Sequence, residues 1–152
     1  MAGSPTIRTI GYEAAGFAAV LAALQAAGVA MVIDVRALPL SRRAGFSKRI
    51  LAASLAAAGI GYVNLKALGT PKEGRAAAHH HDYAKFWPIV EKQLRTPEAA
   101  LELRQAADIA SRQPSALLCF EADPAKCHRR RVAELLAEGF GFQVEHLHPA
   151  AG

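Results

Sequence analysis

The sequence predicts an α/β fold: three layers, with a mostly parallel sheet of about five strands and helices on both faces. Three observations carry this expectation. Short apolar runs alternate with stretches of helical periodicity in the order β-α-β-α-β-α-α-β-α-β. Two of those runs, Val29 to Val35 and Leu117 to Phe120, are almost wholly apolar, as strands covered on both faces should be. At 152 residues and 52% hydrophobic content, the chain can bury a core without disulfides, and residues 1–152 read as a single α/β domain.

Thr6 to Gly11 alternates as a strand, and Phe17, Val20, Leu21 and Leu24 follow at helical spacing up to the stop at Gly28. The strand at Val29 to Val35 ends in Asp34-Val35-Arg36, which puts Asp34 and Arg36 on one side. Residues 37–46, with Pro39, Gly45, Arg42 and Arg43, form a basic loop. Ser47 is then placed to cap a helix carrying Ile50, Leu51 and Leu55 and ending at Gly59. Ile60 to Leu65 reads as the third strand.

Leu68 to His81 has no firm period and reads as a loop or lid. Tyr83, Phe86, Trp87, Val90 and Leu94 have helical spacing, but Pro88 removes a backbone donor, so a kink or a pair of short helices is expected. Thr96-Pro97-Glu98 opens a helix that runs to about Arg112. After Leu117 to Phe120, Asp123-Pro124 starts another helix near Pro124, and the last strand falls near Phe142 to Leu147.

Within that later helix, Val132, Leu135 and Leu136 define the buried face. At about 100° per residue, His128 and Arg129 flank its centre, and Arg130 points away. Ligands of open parallel sheets bind at the carboxyl ends of the strands. Tyr12 and Glu13, Asp34 to Arg43, and Glu121 to Arg129 all follow strands, so they are expected to converge on one edge.

The formal charge of +5 favours phosphate-bearing partners, either a small molecule such as a nucleotide or a nucleic acid, although basic surfaces also serve solubility alone. The two cysteines form no disulfide framework and suit a cytoplasmic protein, and no apolar run is long enough to span a bilayer. Without a G-x-x-x-x-G-K-[ST] or G-x-G-x-x-G string, neither nucleoside triphosphate hydrolysis nor dinucleotide redox chemistry has specific support.

Candidate ligand-binding residues are therefore Tyr12, Arg36, Ser41, Arg42, Arg43, Lys48 and Arg129. Asp34 and Glu121 are candidate acids or bases, and Cys127 with His128 is a candidate reactive pair. The competing reading makes Asp34, Glu121 and the arginines a structural ion-pair network. Cys119, inside an apolar strand, is better explained as a small buried thiol. Cys119, Glu121, Cys127, His128 and the His79–His81 run offer metal donors, but their spacing matches no standard zinc pattern, so no metal site is assigned. Which cofactor, if any, the protein uses is not specified by the sequence. Binding of nucleic acid or protein through the basic loop, with a structural Cys/His cluster, is the alternative to an enclosed site, and a thiol- or metal-dependent activity is a third option.

The segments TIGYE (9–13), VIDVRALPLSRRAGFSK (32–48), GIGYVNLKALGTPKE (59–73) and LLCFEADPAKCHRRRVAELL (117–136) resemble, in order, the domain of unknown function 488 family. The resemblance implies a small cytoplasmic α/β protein. Carried over by motif, its positions fall on Tyr12, then Asp34, Arg36, Pro39, Ser41, Phe46 and Lys48, then Tyr62, Leu68 and Gly69, and finally Cys119, Glu121, Pro124, Cys127, His128 and Arg129. Thr70-Pro71-Lys72 and the triple histidine depart from that pattern.

Overall fold

The computed structural model describes residues 3–151. Five parallel strands, β1 (Thr6–Gly11), β2 (Met31–Asp34), β3 (Gly61–Asn64), β4 (Ser115–Cys119) and β5 (Gln143–Leu147), form one sheet in the order β3-β2-β4-β1-β5. The helices are α1 (Phe17–Ala26), α2 (Lys48–Ala57), α3 (Lys72–His79), α4 (Tyr83–Leu94), α5 (Pro97–Arg112) and α6 (His128–Phe140).

The strand order explains the layering. Connections β1→β2 and β2→β3 run toward one edge of the sheet, whereas β3→β4 and β4→β5 run back toward the other. Because parallel crossovers are right-handed, the two sets of helices must cover opposite faces. The core divides accordingly. Val20 and Leu24 of α1 and Leu51 and Leu55 of α2 pack with Ile10, Val32, Ala116 and Leu118. Phe86 and Val90 of α4, Ala106 and Ala110 of α5, and Val132 and Leu136 of α6 pack with Ile7, Ile33 and Leu117. Strand β4 lies at the centre and is buried at every position, hence its apolar sequence. At one edge, β5 is largely exposed, and Glu145 pairs with Arg8 of β1.

Local capping matches the residues present at two helix starts. Thr96 accepts a hydrogen bond from Ala99 N–H at the start of α5, with Pro97 in the first turn, and Asp82 accepts one from Lys85 N–H at the start of α4.

Four local expectations need correction. Residues 68–81 are not a loop: a 3₁₀ turn at Lys66–Leu68 leads into α3, which packs on α4. Gly74 allows that packing, since a Cβ there would lie 2.4 Å from Thr70 Cγ2 and 3.0 Å from Ile89 Cγ2. Pro88 is accommodated within a continuous α4. Ser47 occupies the N-cap position of α2 but makes no capping bond. Its Oγ accepts from Ser41 N–H and donates to Ser41 O, closing the basic loop on itself. Helix α6 begins at His128 rather than Pro124. Residues Pro124–Lys126 form a 3₁₀ turn capped by Asp123, and Cys127 stands at the N-cap position of α6.

Candidate active site

The connection after β1 leads to α1 on one face, while that after neighbouring β4 leads to α6 on the other. Adjacent strands whose connections part in this way leave a crevice at their carboxyl ends. A cleft of about 720 Å³ occupies that edge, within the size range of small-molecule sites. The predicted convergence is present: Tyr12, Arg36, Ser41, Arg42, Glu121 and His128 all line the cleft.

The crevice is held rigidly. Tyr12 N–H donates to Cys119 O and Glu13 N–H to Phe120 O, extending the β1–β4 pairing past the strands, and Ala122 N–H donates to the Glu13 carboxylate. Gly11 is required for this approach, because a Cβ would stand 1.8 Å from Glu121 O. Arg129 then fastens the turn from beneath, with Nη1 donating to Glu121 O at 2.5 Å, Nη2 to Ala122 O at 3.3 Å and Nε to Thr9 Oγ1 at 3.1 Å. Since Thr9 Oγ1 accepts from Arg129, its own proton is free to go to His146 Nδ1, 2.6 Å away.

A second buried network fixes the opposite wall. The Asp34 carboxylate accepts from Arg36 N–H, from Arg36 Nε at 2.9 Å and Nη2 at 2.7 Å, and from Tyr62 O–H at 2.5 Å. Arg36 Nη1 donates to Tyr12 Oη and to Phe46 O, tying β1 and the end of the basic loop to β2. Tyr12 stacks on Phe46 with ring centroids 4.2 Å apart and meets Phe120 edge-on. Burial pushes the Tyr12 phenol up, partly offset by the Arg36 charge. Burial and its bond to the Asp34 carboxylate both raise the Tyr62 phenol. Although burial disfavours the charged Arg36, its bonds to Asp34 hold it firmly protonated.

Cys119, Glu121 and His128 meet on the cleft floor. His128 Nε2 lies 2.7 Å from Val35 O, and a carbonyl can only accept, so Nε2 carries the proton. That leaves Nδ1 facing both sulfurs, 3.6 Å from Cys119 Sγ and 3.9 Å from Cys127 Sγ. The Cys119 thiol also lies 3.7 Å from Glu121 Oε2. Burial lifts the Glu121 carboxyl to about 7, with the Cys127 sulfur adding to the effect. Burial opposes ionisation of Cys127, but the Cys119 thiol and the positive charges of His128 and Arg129 outweigh it and lower its pKa. Cys119 is raised by burial and by Cys127. Burial also disfavours the imidazolium of His128, yet Cys127 and Val35 O raise its pKa on balance.

Five of the residues expected at the site do not line the cleft. Asp34 is wholly buried and its carboxylate is occupied by Arg36 and Tyr62. Cys127 is sealed in the core, beneath Cys119 and His128. Arg129 is also fully buried, its donors spent on Thr9, Glu121 O and Ala122 O. Arg43 folds back onto Ala15 O, and Lys48 projects into solvent from the first turn of α2. Cys119 is a buried thiol, as expected, and also borders the cleft because it is the last residue of its strand. Thr70, Arg75 and Lys126 also line the cleft, as do Glu13, Asp123, His79 and His81. Lys126 lies within the turn after β4, a position from which it could have been anticipated. Thr70 Oγ1 is buried with no hydrogen-bond partner among the described residues.

These features define an α/β protein with a switch-point cleft floored by thiol, carboxyl and imidazole groups. The chain belongs to the family described as "Domain of unknown function DUF488", which it matches over residues 17–136. That span includes the basic loop, the cleft floor and most of α6. No curated protein and no solved structure matches the chain. No helix among the described residues is long and apolar enough to cross a membrane.

Proposed function

We propose that the protein is an enzyme acting on a nucleotide-like small molecule, with the phosphate held at the cleft rim and the reacting bond placed over Cys119, Glu121 and His128. The observation carrying this reading is the distribution of charge around the cleft. Arg42, Arg75 and Lys126 line it and form no ion pair among the described residues, whereas the charge of Arg36 is matched by Asp34. Glu13, Glu121 and Asp123 also line the cleft, but Glu13 and Asp123 are engaged by Ala122 N–H and Ala125 N–H and burial raises the Glu121 carboxyl to about 7, so the three unpaired cations remain available as donors to an anion.

Leu38, Leu40 and Phe120 expose apolar surface along the same cleft. A ligand joining a phosphate to a flat ring would use both surfaces. Arg36 and Arg129 act in this reading as supports that set the shape of the walls, and Glu121 serves as the acid/base group over the reacting bond.

Calorimetry with inorganic phosphate and a panel of nucleoside monophosphates tests the reading. At least one nucleotide should bind more tightly than phosphate alone, and Arg42→Ala or Lys126→Ala should weaken it about tenfold, the equivalent of one charged contact of about 1.4 kcal/mol. No binding, or binding that ignores both substitutions, would remove the assignment. Salt separates an enclosed ligand from a nucleic-acid backbone, since a backbone binder loses affinity steeply as counterions compete.

A further inference from the structure

We infer that Cys119, Cys127 and His128 form a zinc site whose fourth coordination position opens into the cleft. The inference takes the floor of that cleft as the reacting end of the site proposed above. Along the sequence the three residues have no standard ligand spacing. In the fold, the end of β4 and the start of α6 bring Cys119 Sγ, Cys127 Sγ and a His128 ring nitrogen within 4.8 Å of one another.

The distances suit one small tetrahedral ion. With Zn–S of about 2.3 Å and Zn–N of about 2.0 Å, tetrahedral angles put sulfur and nitrogen ligands about 3.6 Å apart. His128 Nδ1 lies 3.6 Å from Cys119 Sγ and 3.9 Å from Cys127 Sγ, so each sulfur needs only a sub-ångström adjustment toward the nitrogen, and the two sulfurs, within 4.8 Å, need approach by no more than about 1 Å. The outer shell fits as well. Metal-bound histidines characteristically donate their other ring N–H to a carboxylate or carbonyl, and Nε2 of His128 is held at 2.7 Å from Val35 O. That bond leaves Nδ1 as the ligand atom.

The electrostatics favour the thiolate ligands rather than the ion itself. Buried Arg129, immediately after His128, has no carboxylate partner among the described residues, so its charge stabilises the nearby thiolate form, and two thiolates would in turn neutralise a divalent metal. Entry is through the cleft, which Cys119 and His128 line and Cys127 does not.

Three protein ligands and an open position are the arrangement of a catalytic rather than a structural zinc site. Glu121 lines the cleft beside the open position, with Oε2 3.7 Å from Cys119 Sγ. A water on the metal would pass one proton to the Glu121 carboxylate, leaving a bound hydroxide and a neutral carboxylic acid. The reaction class this serves is hydrolysis of the bound phosphate-bearing molecule.

The test uses the full chain purified without a histidine tag, kept reduced, stripped with a chelator and titrated with Co²⁺ and then Zn²⁺. The expected result is one Co²⁺ per chain with a thiolate-to-cobalt charge-transfer band that Zn²⁺ abolishes. Cys119→Ser and Cys127→Ser should each weaken binding on the order of 100-fold or more, beyond the loss from an outer-shell change. The combined His79→Ala, His80→Ala and His81→Ala variant should bind as the parent does. Circular dichroism checks each fold, and Cys119→Ser, at the cleft wall, carries the test if enclosed Cys127→Ser does not fold. Absence of the charge-transfer band, or binding that depends on His79–His81 and not on Cys119, overturns the inference. Nucleotide binding measured on the same metal-free protein separates the two readings: retained nucleotide binding without metal binding overturns the zinc site alone. A zinc site without any nucleotide binding supports the metal and overturns the nucleotide reading.

Discussion

Replacing Asp34 with asparagine should destabilise the protein by about 3–5 kcal/mol, the range for removing one partner of a buried ion pair. The structure indicates where the loss arises. Asp34 and Arg36 side chains are 0% and 5% exposed, so water cannot replace the missing charge. Asparagine keeps one oxygen for Arg36 N–H and Nε, but puts an amide where Oδ2 accepts from Arg36 Nη2 and Tyr62 O–H. Two acceptor contacts and the compensating charge disappear together. For a chain of this size, the change corresponds to a fall in Tm of roughly 6–20 °C. Urea unfolding gives the free energy, provided the slope is unchanged between variants. Asp34→Leu with Arg36→Met should recover most of the loss, because neither charge is then left unpaired. A loss below about 1 kcal/mol for Asp34→Asn, or a double variant as unstable as the two single changes summed, would refute the scaffolding role of the pair.

Two further outcomes follow, one from the turn after β1 and one from β5. Ala14, just after β1, has φ of 61°, in the left-handed region that disfavours a side chain, so Ala14→Gly should raise stability by about 1 kcal/mol in the same urea assay. His146 should titrate below its ordinary 6.5, because burial and then the nearby Arg129, His148 and Arg130 charges oppose its protonation. Its contribution to stability is present above about pH 6.5 and is lost as pH falls toward the lower folded-state value, since the unfolded chain binds the proton more readily there. Following the His146 ring proton by NMR across that range checks both the direction and the window.

The parallel architecture was legible because its signals are local and repeated. The apolar run of β4, the Thr96-Pro97 start of α5 and the glycine stops after α1 and α2 agree with the structure. Helix α3 was hidden because its stability depends on tertiary fit: Gly74 and three histidines resemble loop composition until Ala77 is buried and Gly74 meets Thr70. Ser47 has the chemistry of a cap, but Ser41 provides partners closer to hand.

The same distinction applies to the site. Helical projection turns His128 and Arg129 inward, as observed, but projection cannot say what waits there. Arg129 meets the hydroxyl of Thr9 and two carbonyls, and is spent. His128 meets Val35 O on one ring nitrogen and two sulfurs on the other. Cys119 is the buried thiol that its apolar strand implies, and its place as the last residue also brings it to the border of the cleft.

The proposed nucleotide site is most directly tested by an amide NMR titration of the full chain with the nucleoside monophosphate that calorimetry ranks first. The account predicts saturable shifts concentrated in residues 12–15, 37–42, 70–75 and 119–128, lost in Arg42→Ala with Lys126→Ala. Shifts centred instead on Lys48 and Arg49 at the exposed start of α2, or none at saturating nucleotide, would contradict it.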